Sequence, residues 1–254
     1  MPSLSQSKRV RALRRSKERR ASGEFLVEGP RVLGELLRAE LPVTLVLYTE
    51  AAVAEPAGRR LLELVARSGA PAEQVSEEEL RRHADTVSPQ GWIATAPQPG
   101  WDLGQVAASR VLALDGIGDP GNVGTLVRAA EAMDMTAVVT LPGTADPWSP
   151  KVVRAAAGSS LRVPVLEVDP AVLLRWLREE GADVWVAAAD GEPVGRSAPA
   201  PDRVALVLGN ETSGVSAAMR EAADRAVAIP MKGAVESLNA AVAGAILMDR
   251  LFGG

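Results

Sequence analysis

The 254-residue chain is 47% hydrophobic but only 3% aromatic, so a core sufficient for one large domain or two smaller ones has to be packed from Ala, Val and Leu. The absence of cysteine excludes thiolate chemistry, disulfides and cysteine-ligated zinc, and a single histidine, His83, cannot build a histidine-rich metal centre. The net charge of -4 hides an asymmetry: Lys8, Arg9, Arg11, Arg14, Arg15, Lys17, Arg19 and Arg20 face only Glu18 within the same stretch, and the rest of the chain carries the acidic excess.

Such a basic head on an acidic body points to an anionic partner, nucleic acid first, with a solvated terminus as the alternative reading. Residues 1–22 form this extension. Val10 and Leu13 give it a faint helical stripe, and the expectation is a segment that folds on RNA or stays mobile. Phe25 to Leu37 reads as a turn and then a helix, with Val32, Leu33, Leu36 and Leu37 on one side. Pro42 ends that helix, and 43–49 is a strand candidate. A second helix fits 59–68, Ser76 followed by Glu79 caps a third, and 91–96 is another strand. Residues 23–96 are therefore expected to form a small α/β domain, followed by a linker at 97–107.

The second domain, 108–254, opens with a strand at 111–115, a glycine-rich turn and a helix from Asn122 whose Val123, Leu126, Val127, Ala130 and Met133 recur at three- and four-residue intervals. Strands follow at 136–140 and 163–167, with a short helix at 150–157 between them. Asp169-Pro170 starts a helix with Val172, Leu173, Trp176 and Leu177 as its buried stripe. Further strands begin at Asp183, Val204 and Ala226, and a last helix carries Leu238, Val242 and Ile246 on one face. Alternation of strand and helix predicts a mostly parallel sheet covered on both faces. No apolar stretch reaches membrane-spanning length and the N-terminus lacks the apolar segment of a secretory signal, so a cytoplasmic protein without a membrane partner is expected.

Three clusters lie where open α/β sheets bind ligands, at the carboxyl ends of strands. In the first, 115–128, Gly116, Gly118 and Gly121 match a dinucleotide fingerprint, but Thr140 and Leu141 stand where its ribose-binding acid belongs. Asn122 either caps the helix or serves the site. Arg128 is placed to reach a phosphate, with a surface ion pair as the alternative. In the second, 209–214, Gly209 lets a ligand approach the backbone and Glu211 accepts hydrogen bonds from a substrate or from Arg128, while Asn210, Thr212 and Ser213 have a possible capping role. In the third, 229–239, Pro230 and Gly233 imply a sharply shaped loop; Met231 and Leu238 either sandwich an apolar ring or belong to the core. Ser213 and Ser237 lack a nucleophile elbow, which argues against acyl-enzyme hydrolysis.

Taken together, D-P-G-N-V-G-T-L-V-R-A-A from Asp119, L-G-N-E-T-S-G-V-S from Leu208 and I-P-M-K-G-A-V-E-S-L-N-A-A-V-A from Ile229 resemble, in order and spacing, the SpoU/TrmH class of RNA ribose 2'-O-methyltransferases in the SPOUT superfamily. F-L-V-E-G-P-R-V-L from Phe25 and P-Q-G-W from Pro89 are similar to the family's small RNA-binding domain. The resemblance implies a mostly parallel-sheet SPOUT domain ending in a trefoil knot, a homodimer with its active site completed at the interface, and S-adenosyl-L-methionine as cofactor. Leu208, Gly209, Ile229, Met231, Ser237 and Leu238 would hold the cofactor. Arg128, Asn122, Glu211, Ser237 and Asn239 would form the catalytic group, and the eight basic residues of the head would bind structured RNA, ribosomal RNA ahead of transfer RNA. The alternative is a non-catalytic RNA-binding protein that keeps the scaffold.

Overall fold

Short apolar runs build two separate sheets, each the core of its own compact unit. The computed structural model describes residues 4–195, 200–231 and 238–253. One unit comprises Met1–Pro99 with Trp148–Leu161, the other Gly100–Pro147 with Arg162–Gly254.

The first unit runs α1 (Leu4–Ala12), α2 (Ser16–Ser22), β1 (Glu24–Glu28), α3 (Pro30–Arg38), β2 (Leu45–Tyr48), α4 (Glu50–Ala54), α5 (Pro56–Ser68), β3 (Ala72–Gln74), α6 (Glu77–His83) and β4 (Trp92–Pro97). Its sheet has the order β1-β4-β2-β3, with β4 antiparallel to β1 and β2, and β3 parallel to β2. Leu26, Leu45, Leu47 and Ile93 pack together with Val10 and Leu13 of the head and with Val75 and Leu80.

This corrects the expectation for the basic extension. Val10 and Leu13 are each 1% exposed, so α1 is part of the core of the first unit and not a mobile arm. Arg9 pairs with the buried Glu24 (Nη2 to Oε1, 2.5 Å), and Arg19, 3% exposed, donates to the Leu13 carbonyl at 2.7 Å. Arg9 and Arg19 are thus used within the fold. The faint stripe is the only sequence signal of this, because both apolar residues sit among charges. β1 likewise stands where a turn is expected: its E-F-L-V-E is buried along its whole length, and its two carboxylates mask an otherwise apolar strand.

Trp148–Leu161, expected in the second domain, packs within the first unit. The Trp148 ring lies 5.0 Å from that of Phe25 in β1. Within this segment α8 (Pro150–Ala156) presents Arg154 to Asp85 at 3.0 Å and to the buried Glu28 at 3.5 Å. Glu28 also accepts hydrogen bonds from the Thr86 hydroxyl and from the Asp85 and Thr86 backbone N–H groups. Burying a carboxylate at this depth is tolerable only when its oxygens are so occupied.

The second unit contains β5 (Arg110–Asp115), α7 (Pro120–Ala132), β6 (Ala137–Thr140), β7 (Val165–Glu167), α9 (Pro170–Glu179), β8 (Asp183–Pro193), β9 (Val204–Gly209), α10 (Ala217–Glu221), β10 (Arg225–Ala228) and α11 (Ala240–Phe252). All six strands are parallel, in the order β10-β8-β9-β5-β6-β7. One set of alternating residues, including Val111, Ala113, Val184 and Val207, packs against Leu173 and Leu177 of α9 and Met219 of α10. α7 and α11 pack on one another, and each also contacts the sheet. Both faces are covered, which is why the strands read as continuous apolar runs. The face of α11 differs from the expected stripe: Ala241, Gly244, Leu247, Met248 and Leu251 are buried, whereas Val242 is 49% exposed. The threading implied by the resemblance runs through a C-terminal segment of which 232–237 lie outside the described residues. No helix among the described residues is long and apolar enough to cross a membrane.

His83, at the end of α6, is 2% exposed and its Nδ1 has no hydrogen-bond partner among the described residues. Burial holds its pKa below the ordinary value; Glu79 opposes this, while Arg11 and Arg82 reinforce it. An unfolded chain takes up this proton near pH 6.5 and the folded unit only at lower pH. The stability contributed by neutral His83 is therefore complete above about pH 6.5 and is lost as pH falls from there toward the folded pKa. Thermal melts at pH 7.5 and 5.5 are expected to show a lower Tm at pH 5.5, with His83→Leu narrowing the gap. An identical pH dependence in the two proteins would contradict this.

Candidate active site

The site grows from the register of two neighbouring parallel strands. Asp115 at the end of β5 pairs with Gly209 at the end of β9, so the loops that follow emerge side by side. Asp115 is buried, and its Oδ2 accepts from the Ser216 backbone N–H at 2.7 Å. Asn210 does the complementary work. Its Oδ1 accepts from the Thr212 and Ser213 N–H groups at 2.9 and 3.1 Å, and its Nδ2 donates to the Gly116 carbonyl at 2.9 Å. Backbone hydrogen bonds in both directions between Asn210 and Gly214 close the turn. Thr144 adds the next loop, its hydroxyl accepting from Gly116 N–H at 3.0 Å and donating to the Leu114 carbonyl at 2.7 Å.

Asn122 sits in the first turn of α7, but it does not cap the helix. Asp119 does, accepting from the Asn122 N–H at 2.9 Å. The Asn122 amide is left for the site: Nδ2 donates to Glu211 Oε1 at 2.6 Å, and Oδ1 accepts from Asn239 Nδ2 at 3.0 Å. Asn239 in turn caps α11 through its Oδ1, which takes the Ala241 and Val242 N–H groups. Three residues from three distant sequence clusters therefore form one hydrogen-bonded chain, in which each amide orientation is fixed by its neighbour.

Beside this chain lies a cavity of ≈210 Å³ whose lining includes Leu208, Gly209, Ile229, Met231, Leu238 and Glu211. Its remaining wall comes from β8, β10, α11 and the turn at 210–214. Ala187, Ala188 and Ala189 enter it because the β8–β10 register jumps: Ala226 pairs with Val186, but the next residue, Val227, pairs with Glu192. Residues 187–191 have no register partner on β10. The run A-A-A-D-G is the available sequence signal for this bulge, since small residues ending in glycine suit a close backbone approach.

The structure brings Asn122, Glu211 and Asn239 together, and it places Leu208, Gly209, Ile229, Met231 and Leu238 around the cavity. Ser237 lies outside the described residues. One expectation needs correction. Glu211 accepts from Asn122 and not from Arg128, which is exposed on α7 and makes no hydrogen bond or ion pair among the described residues. Arg128 stands six residues beyond Asn122, about 9 Å along the helix axis. Gly209 also owes its identity to the protein itself: a Cβ there would collide with the Gly214 carbonyl carbon and the Val215 nitrogen, where the 210–214 turn folds back.

Residues 109–249 match the model of the SpoU rRNA Methylase family, and residues 5–94 match that of an MRM3-like substrate binding domain. The chain belongs to the SpoU rRNA methylase family. It is 33% identical to the 23S rRNA (guanosine(2553)-2'-O)-methyltransferase RlmP of Bacillus subtilis, over 95% of this chain and 93% of that one. Among solved structures it is similar to an AdoMet-bound rRNA methyltransferase from Sinorhizobium meliloti, with a TM-score of 0.86, 26% identity and coverage of 98% and 95%. It is likewise similar to the SpoU methyltransferase AviRb from Streptomyces viridochromogenes in complex with AdoMet, with a TM-score of 0.84, 26% identity and coverage of 97% and 96%. For a SpoU-family chain, the substrate-binding match from residue 5 accords with a head already folded into the first unit.

The close approach at Gly209 generates a test. Gly209→Ala forces a methyl group into the backbone of the 210–214 turn and is expected to lower stability by about 1–3 kcal/mol, read as a reduced urea midpoint. An unchanged midpoint would contradict the packing described.

Proposed function

We propose that this protein transfers a methyl group from S-adenosyl-L-methionine to a ribose 2'-hydroxyl of ribosomal RNA. The observation that carries this reading is the placement of the Asn122–Glu211–Asn239 chain at the rim of an apolar strand-end cavity. It is supported by the similarity of the whole chain to enzymes named for that reaction or that cofactor.

The residues present fit the cofactor. Leu208, Ile229 and Leu238 offer apolar surface to a flat heterocycle, the small side chains of Ala187 to Ala189 leave room beside backbone, and Glu211 brings a negative charge suited to a sulfonium. When bound, the cofactor supplies an activated methyl group. The protein has then to bring the ribose oxygen into line with it, and positioning of this kind is worth several kcal/mol of barrier. Asn122 and Asn239 hold one another and Glu211 in a fixed arrangement, so donors and acceptors at the rim need no reorganisation when the substrate arrives.

Arg128 acts as an electrostatic clamp on the adjacent phosphate or on the negative charge growing on the ribose oxygen. A guanidinium offers donors and no acceptor, which suits it to a clamp and not to taking the proton. Because Arg128 has no contact with the polar chain of its own subunit, we read the active enzyme as a homodimer whose second copy completes the site. The exposed cations of the head hold RNA phosphates, and we read the enzyme as acting in the cytoplasm.

The direct assay is incorporation of labelled methyl into ribosomal RNA, with the modified nucleotide mapped as 2'-O-methylated. With RNA and cofactor saturating, Arg128→Ala is expected to reduce turnover about 30- to 1000-fold. Unchanged turnover would remove the clamp role. Deleting the head would remove Val10 and Leu13 from the core, so its RNA role is tested by charge alone. Gln at Lys8, Arg11, Arg14, Arg15 and Lys17, all exposed, is expected to weaken RNA binding and to flatten the dependence of log K on log salt by roughly 0.7–0.9 for each phosphate no longer neutralised. An unaltered slope would contradict this.

A further inference from the structure

The β8 bulge that walls the cavity is anchored firmly at both ends. Upstream, Trp185 is buried and carries the Arg225 guanidinium 4.9 Å above its ring. Downstream, Arg225 reaches Glu192 Oε2 through Nε and Nη2 at 2.8 and 2.5 Å, the Val194 N–H donates to the Ala228 carbonyl at 2.9 Å, and Arg250 of α11 donates to the Val194 carbonyl at 2.9 Å. Gly191 lies flat against β10, since a Cβ would come within 2.7 Å of the Ala226 and Val227 backbone.

Between these anchors, the bulge has one side-chain tie among the described residues. Asp190 Oδ2 receives the Arg220 Nη2 of α10 at 2.5 Å. The hydrogen bond from Arg220, ahead of a contact with its own backbone, holds the Asp190 carboxyl below its ordinary pKa, so the pair stays charged through the neutral range. α10 is a rigid post for this tie. Met219 is fully buried against the sheet, and the preceding Ser216 N–H is held by Asp115. A continuous set of contacts thus runs from the end of β5, through α10, to the rim formed by Ala187, Ala188 and Ala189.

We propose that the Arg220–Asp190 pair is a latch that fixes the β8 bulge and with it the rim of the cofactor cavity. Both are positioning residues for the cofactor, although neither lines the cavity. The inference rests on the reading of the cavity as the S-adenosylmethionine site. An unlatched bulge samples more conformations in the free protein, and binding must then order it again, which weakens affinity without touching the reacting groups.

The test uses the full chain with Arg220→Ala, Asp190→Ala and the charge-reversed double variant Asp190→Arg with Arg220→Asp. Each single variant is expected to weaken S-adenosylmethionine binding about two- to five-fold in low salt, in keeping with an exposed pair. The effect should shrink at high salt and appear in turnover as a higher KM for the cofactor with kcat retained. Amide exchange at 187–191 in the cofactor-free protein should quicken in the single variants, and the double variant should restore both readouts. Unchanged affinity and exchange, or losses that the reversed pair does not repair, would overturn the latch. If the wild type takes up no S-adenosylmethionine, the reading of the cavity fails and the affinity role fails with it. Amide exchange would then still decide whether the pair holds the bulge.

Discussion

The second unit depends on one constraint above others: β5 and β9 end at the same level, and a buried carboxylate and an asparagine lock the loops that leave them. Asp115 holds Ser216, and Asn210 holds both its own turn and Gly116. Parallel pairing forces every strand to deliver its carboxyl end to the same edge, and that edge has backbone groups with no further ladder to join. Satisfying them with side chains from two loops at once turns an open edge into a preorganised surface. The polar chain through Asn122, Glu211 and Asn239 stands on that surface.

Much of this was legible in the sequence, because buried parallel strands are continuous apolar runs and their ends are marked by glycine and polar residues. The strands ending near Asp115, Thr140 and Gly209 all follow that pattern. Five of the cofactor residues implied by the family resemblance line the cavity. What escaped was decided by tertiary context. β1 carries glutamates at both ends and declares itself only once Thr44, Arg9 and Thr86 are seen to satisfy them. The wall formed by Ala187 to Ala189 depends on a register jump that no periodicity encodes. Asn122 would have been an acceptable helix cap, and only the structure shows Asp119 taking that place and freeing it.

The basic head shows how charge can disguise a core segment. Composition reads α1 and α2 as a solvated arm, but helical geometry needs few apolar residues to pin a short helix, and Val10 with Leu13 is enough when Arg9 and Arg19 are also bonded inward. A surface that carries its cations on a folded element presents them in fixed positions, at less entropic cost than an arm that must order on contact. On the proposed function, RNA binding by this unit is then a matter of matching a folded charged face to phosphates.

On the proposed function, S-adenosylmethionine sits in the cavity between β8, β9, β10 and α11. Calorimetric titration of that cofactor into the wild type and into Ala188→Trp, whose indole would fill the space, tests it most directly. Saturable uptake is expected for the wild type, and its loss in a variant that keeps its thermal unfolding transition. Equal affinity in the two proteins would place the cofactor elsewhere.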